Sequence, residues 1–283
     1  MPTLKEIKGR IASVQSTLKI TSAMKLVSSA KLRKAQQAIE GMRPYQRKLE
    51  EILELAGAGK SDIGISVSNP ETVIVAMASN SSLCGGFNAN AIAKAKQVLK
   101  DYPGARVYSI GRKMADAMRR AGYPSPEDYS SLSEHPAYGP VSSLVDKFLE
   151  EGKRVILVYN HFVSTGRQVP VAETLTDVSA AAETAEQDDA VVPDADRESP
   201  DVIIEPSRHE LLEALYPKSL KIKFFAALLD SAAAEHAART VAMQTATDNG
   251  EDLLSELTLQ YNKGRQQKIT GEILDLAGGQ NRD

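Results

Sequence analysis

The residues best placed to do chemistry in this 283-residue chain lie in the run Ser79-Asn80-Ser81-Ser82-Leu83-Cys84-Gly85-Gly86-Phe87-Asn88. The run follows a short apolar segment, where a doubly wound fold puts its ligand. Its glycines would let backbone amides cradle a phosphate at the next helix N-terminus. Neither GxxxxGK followed by Ser or Thr nor GxGxxG is present, so a structural tight turn is the simpler reading. Cys84 is the single cysteine, which rules out an internal disulfide; with no histidine close in sequence it reads as a small buried residue. The four histidines, His135, His161, His209 and His236, show no ligand spacing, so no metal site is expected. Residues 180–201, AAAETAEQDDAVVPDADRESPD, carry many carboxylates and two prolines among few apolar side chains. That composition reads as a solvated, mobile loop rather than as paired catalytic acids.

The elements that would carry such groups fall into three parts. Between Asn69 and Glu205, residues 69–205, short apolar runs alternate with helical segments. Strands are expected at Thr72–Ala78, Arg106–Ile110 and Arg154–Tyr159. A fourth, within 168–177, is placed at an edge because it holds Pro170. Helices at about 89–100, 112–121 and 139–151 fill the gaps. This rhythm predicts a Rossmann-like α/β domain with a mostly parallel sheet.

Both ends of the chain read differently. Residues 1–57 open with a capping box, Thr3-Leu4-Lys5-Glu6, and keep a heptad frame to the end. Its a positions are Leu4, Ile11, Leu18, Lys25, Leu32, Ile39, Gln46 and Leu53. Its d positions are Ile7, Val14, Thr21, Ser28, Ala35, Met42, Leu49 and Ala56. Lys25, Gln46, Thr21 and Ser28 are expected to break the seam, and Gly41 with Pro44 to bend the helix near 40–44. At the other end, residues 207–279 start at a second capping box, Ser207-Arg208-His209-Glu210, and run to Gly278-Gly279. Pro217 is expected to split off a short first helix, leaving 218–277 as one rod of roughly 90 Å at about 1.5 Å per residue. A globule of this chain length spans only about 50 Å, so the rod is expected to protrude. Alanines between 226 and 246 make it narrow, so that another helix can lie close. A lone helix of this kind lacks the apolar burial to be stable, and the expected partner is the N-terminal helix, in a long antiparallel coiled coil.

Composition narrows the function classes. No apolar run approaches 18 residues, and the opening MPTLKEIKGR lacks the core of a signal peptide. There is no tryptophan, which disfavours base stacking. In residues 1–48 eleven basic side chains face two acidic ones, net +9, while the whole chain carries −3. That arm calls for an acidic partner or a solvated face. Nucleic acid would also suit it, but no groove-reading pattern accompanies the charge.

Three motifs then carry a resemblance. The run 7–27, IKGRIASVQSTLKITSAMKLV, resembles the opening of the gamma subunit of F-type ATP synthase. The runs 235–249, EHAARTVAMQTATDN, and 259–273, LQYNKGRQQKITGEI, are similar to its C-terminal signature, and 83–88, LCGGFN, to its central motif. The resemblance implies a central rotor shaft without a catalytic site or cofactor of its own. Its partners would be a ring of three alpha and three beta subunits, the epsilon subunit and a membrane c-ring, with no nucleic acid. It would sit peripherally on the cytoplasmic face of the inner (plasma) membrane. Residue by residue, it implies beta-subunit contacts at Met24, Lys25, Arg239, Arg265, Gln266, Thr270 and Glu272. It places Val202, Ile203, Ile204 and Glu205 toward the c-ring. Ser79-Asn80-Ser81-Ser82 departs from the family's acidic residue and glycine before Leu83. The paired cysteines of the chloroplast type are absent, so thiol regulation is not expected.

Overall fold

A computed structural model describes residues 3–56, 71–176, 204–205 and 207–279. The acidic stretch 180–201, with Val202 and Ile203, lies outside the described residues. The element order is α1 (Leu4–Leu55), β1 (Thr72–Met77), α2 (Phe87–Asp101), β2 (Arg106–Ile110), α3 (Arg112–Arg120), α4 (Ser130–Glu134), α5 (Tyr138–Glu150), β3 (Arg154–Ser164), β4 (Arg167–Thr174) and α6 (Arg208–Gly279). Two compact units result, Met1–Ser29 with Arg239–Asp283, and Ala30–Ala238. Both terminal helices contribute to both.

The unit 30–238 is built on a four-stranded sheet in the order β2-β1-β3-β4. β1 pairs in parallel with β2 and β3, and β4 closes the edge antiparallel to β3, with Pro170 opposite Asn160. Alternation along the strands sorts side chains to two faces. Val73, Val75, Met77, Tyr108, Val155, Leu157 and Tyr159 join a core with Val141, Leu144, Phe148 of α5 and Leu220, Phe224, Ala227, Leu228 of α6. Ile74, Ala76, Val107, Ile156 and Val158 pack with α2 and α3 on the other side. Sheet and long helix therefore share one core. From Ala227 to Ala238 α6 is enclosed on nearly all sides, and the expected thin alanine cylinder is realised at Ala233, Ala234 and Ala237, which are fully buried. Ala233 and Ala237 pack against Leu32 with Ala35 and Ile39 of α1. Across the start of the parallel strands, Glu71 pairs with Lys153 and with Arg106, joining the ends of β3 and β2. These cations hold the Glu71 carboxyl below its ordinary value, the Lys153 hydrogen bond contributing most.

In the other unit the helices run antiparallel. The Cβ that Gly264 lacks would fall 3.1 Å from Leu4 Cδ2, and that of Gly250 only 2.6 Å from Leu18 Cδ2. Thr247 Oγ1 lies 2.9 Å from Thr21 Oγ1, and Lys25 Nζ donates to Gln244 Oε1 at 2.8 Å. Partners thus step from 4 with 264 to 25 with 244. On α6 the covered positions Met243, Thr247, Gly250, Leu254, Leu257, Tyr261 and Gly264 keep alternating spacings of three and four, the signature of a two-helix seam.

Several expectations need correction. Pro217 does not split α6, which is one 72-residue helix through it. Leu212 and Leu220, on either side of the proline, are buried, and Ser219 Oγ donates to the Tyr216 carbonyl at 2.7 Å, so packing offsets the lost amide donor. Helix α1, where a bend rather than a break was expected near 40–44, is one 52-residue helix that contains Pro44. The polar positions expected to break the seam sit inside it. Every a and d position from Leu4 to Ala56 is buried or half-buried, and Ser28 is only 3% exposed. Small hydroxyls are tolerated there because the helix satisfies them, as where Thr21 Oγ1 bonds the Leu18 carbonyl at 3.1 Å. The short α4 was not expected, and β3 runs five residues past its expected end at Tyr159. The first capping box closes both ways, with Glu6 N donating to Thr3 Oγ1 at 3.3 Å and Thr3 N to Glu6 Oε2 at 2.9 Å; at the second, Glu210 N donates to Ser207 Oγ at 3.3 Å and that hydroxyl donates to Glu210 Oε1 at 3.2 Å.

Candidate functional site

The loop after β1 is a densely hydrogen-bonded turn. Asn88 organises it: its Oδ1 accepts from Ser79 N at 3.0 Å, and its Nδ2 donates to Ser81 O at 3.2 Å and lies 3.1 Å from Cys84 Sγ. Leu83 takes a left-handed conformation, φ 64°, which is unusual for a non-glycine residue. Cys84 and Phe87 are buried against Ala234 and Ala238 of α6. Asn80 ties the loop to its neighbours, its Nδ2 donating to the Ser130 carbonyl at 2.9 Å and its Oδ1 accepting from Arg112 N at 3.0 Å, and the apolar base of the loop seats on the helix, as a structural turn requires. Among the described residues no group of three His, Cys, Asp or Glu is placed to hold a metal ion. Nor is any described helix long and apolar enough to cross a membrane.

The expected contact residues lie mainly on the helix pair, in separate groups. Met24 and Lys25 are half-buried, Lys25 at an a position of the seam and Met24 beside it. The Lys25 ammonium is held by Gln244, whose Nε2 donates in turn to Asp248 Oδ1 at 2.6 Å. Arg265, Gln266, Thr270 and Glu272 are all exposed, roughly 30 Å further along α6 at about 1.5 Å per residue. With 3.6 residues per turn, Arg265 and Glu272 share one stripe, while Gln266 and Thr270 share a second about 120° away. Glu272 stands 3.7 Å from Lys268, and Thr270 Oγ1 is turned inward onto the Gln266 carbonyl at 2.9 Å. Arg239 differs from these, being 7% exposed within its own chain. Of the four residues expected toward the c-ring, Ile204 is half-buried and Glu205 exposed.

Other surface features escaped the sequence reading. Ile20, Leu26 and Val27 on α1, and Leu259, Ile269, Ile273 and Leu274 on α6, are large apolar side chains left in the open, Ile273 at 59% and Leu274 at 65% exposure. The signal was available, because Ile20 and Val27 stand one heptad apart at positions off the seam. A groove of about 520 Å³ runs along the same helix pair, floored by Gly9, Ser13, Val14, Leu253 and Leu257 between Glu6 and Arg10. Past Gly264, opposite Leu4, α6 continues for fifteen residues, about 22 Å, beyond the first turn of α1. In the other unit, Asp230 of α6 faces His161 of β3 at 2.5 Å. Burial pushes the Asp230 carboxyl above its ordinary value, against the opposing pull of His161 and of the Phe162 amide.

Comparison with known proteins gives a consistent result. The family model described as ATP synthase matches residues 3–281. An ATP synthase gamma chain from Phocaeicola vulgatus is 44% identical over 293 residues, covering 99% of each chain. One from Bacteroides fragilis is 45% identical over 294 residues, again covering 99% of each. Among solved structures, a chain of the Euglena gracilis mitochondrial ATP synthase superposes with a TM-score of 0.68 at 20% identity, covering 98% of this chain and 93% of that one. A chain of the central stalk and c-ring assembly from Tetrahymena thermophila gives 0.55 at 19% identity, covering 80% and 99%. These two likenesses speak for the fold, and the near-complete matches to the bacterial relatives settle the family. An antiparallel helix pair in one unit, a mostly parallel sheet packed on α6 in the other and this kinship agree: the chain belongs to the ATP synthase gamma chain family.

Proposed function

We propose that this chain is the central rotor shaft of an F-type ATP synthase, turning inside a ring of three alpha and three beta subunits and coupling proton translocation to ATP synthesis or hydrolysis. The observation that carries this reading is the end of α6. Fifteen residues run beyond the start of α1 with Ile269, Ile273 and Leu274 uncovered by any of the described residues. Apolar surface of that kind calls for a surrounding sleeve. The positive arm of α1 suits acidic loops on such a sleeve. A partner with several states is driven only by contacts that differ between them, and the two unlike polar stripes, Arg265 with Glu272 and Gln266 with Thr270, supply different faces to successive subunits.

In this reading the chain breaks no bond itself. Met24, Lys25, Arg239, Arg265, Gln266, Thr270 and Glu272 bear on beta subunits, and the segment around Ile204 and Glu205 faces the c-ring. The epsilon subunit docks on the sheet domain, and the chain reaches the cytoplasmic face of the membrane only through the complex. The test is reconstitution with alpha and beta subunits and stripped membranes. Arg265→Ala and Gln266→Ala should lower coupled ATP synthesis while the chain still assembles. Wild-type synthesis rates in both variants would remove these residues from the interface.

A further inference from the structure

Hydrophobic contact is non-directional, so the core shared by the sheet and α6 resists separation of the two better than it resists turning of one on the other. Directional ties therefore matter most: Lys221 of α6 pairs with Asp146 of α5 at 2.6 Å, and a second tie lies further along the helix. β3 runs on past the parallel sheet through Asn160, His161 and Phe162 and returns as β4, forming an arm against α6. The root of this arm is fixed, since buried Asn160 Nδ2 donates to the Phe87 carbonyl at 3.0 Å. Next along the arm, Asp230 takes two contacts from it. Its Oδ1 accepts from Phe162 N at 3.2 Å, and its Oδ2 faces His161 Nδ1 at 2.5 Å. The Phe162 ring then packs against Ala233 and Ala237 beside Leu32, and against Ala234 and Ala238 beside Cys84. These alanines stand three to eight residues past Asp230, so carboxylate and ring grip successive turns of one ridge.

A partly buried carboxylate at the head of an alanine-rich stretch is costly to desolvate. Nothing in the packing of that stretch requires it, whereas a directional acceptor fixes the angle of the helix about its own axis. We infer that the arm clasp, Asp230 holding His161 and the Phe162 amide with the Phe162 ring wedged among the alanines, is a contact through which turning of the α/β sheet is passed to helix α6. Phe162 and Asp230 are then positioning residues for torque transfer. Without them the helix would turn partway before the sheet followed.

This inference rests on the rotor reading, and the test separates the two. Complexes carrying wild-type, Phe162→Ala, Asp230→Ala or Asp230→Asn chains are assembled on inverted vesicles, and protons pumped per ATP hydrolysed are measured alongside subunit content. Amide exchange at Phe162 reports the clasp itself. In Asp230→Ala, loss of a charged acceptor should speed that exchange about tenfold or more. The expected result is normal assembly and ATP hydrolysis with a loss of pumping per ATP in Phe162→Ala and Asp230→Ala. Asp230→Asn, which keeps an oxygen for the Phe162 amide, should fall between, and it decides the matter if the alanine variants do not assemble. Wild-type pumping per ATP in a variant whose Phe162 amide exchanges fast overturns the clasp. A wild-type chain that restores no pumping overturns the rotor reading and the clasp with it.

Discussion

Gly250 tests whether the two helices interlock as described. An alanine there gains helix propensity worth up to about 1 kcal/mol. Its Cβ, however, would stand 2.6 Å from Leu18 Cδ2 and 3.2 Å from Leu18 Cγ, so the leucine side chain must move aside within the seam. Overpacking of this kind costs about 1–3 kcal/mol, which outweighs or cancels the gain. Gly271 is the internal control, because a Cβ there meets nothing within 4 Å and only the propensity gain remains. Thermal unfolding of the full chain, followed by helical circular dichroism, should place Gly271→Ala above wild type and Gly250→Ala at or below it. A gap of about 1–3 kcal/mol corresponds to several degrees in Tm. Combining Gly250→Ala with Leu18→Ala should show favourable coupling of about 0.5–3 kcal/mol, since the clash then has no partner. If Gly250→Ala were as stabilising as Gly271→Ala, Leu18 would not be seated on that glycine and the antiparallel register would be wrong.

Other consequences can be checked in the same way. Thr247→Val keeps the volume but removes the hydroxyl facing Thr21, and should lower stability by about 1 kcal/mol in urea unfolding. Ala237→Leu adds bulk where α6 is fully buried against Leu32 and should cost about 1–3 kcal/mol; unchanged stability would mean that the helices stand further apart. Glu71 titrates below its ordinary value of 4.5. Its stabilising share is therefore present above that value and lost as pH falls through the lower folded one. Glu71→Gln should accordingly flatten the acid limb of a Tm against pH profile, and an unaltered limb would show that the pairing with Lys153 and Arg106 carries none of it.

Much of this was legible because periodicity is a local property. All sixteen seam positions of α1 follow from a seven-residue frame laid on the sequence, and the three parallel strands from short β-branched runs between helices. What failed to show was set by distant neighbours. Pro217 looked like a break because the pattern cannot see Leu212 and Leu220 anchored in packing on either side of it. A glycine inside a helix weakens it by propensity alone, yet Leu4, more than 250 residues away in the chain, lies over Gly264. His161 shows no ligand spacing because its partner is Asp230 on another element. The candidate contact residues came from resemblance, and the uncovered Ile269, Ile273 and Leu274 only from knowing where α1 starts against α6.

The most direct measurement attaches a probe and watches for rotation. The single cysteine, Cys84, is buried, so a Lys96→Cys variant on exposed α2 offers one reactive thiol for a gold bead. With the ring of alpha and beta subunits fixed to glass and ATP added, the bead should turn in one direction in steps of about 120°, as three-fold cyclic symmetry requires. A chain held in a ring that hydrolyses ATP while the bead stays still would contradict the account.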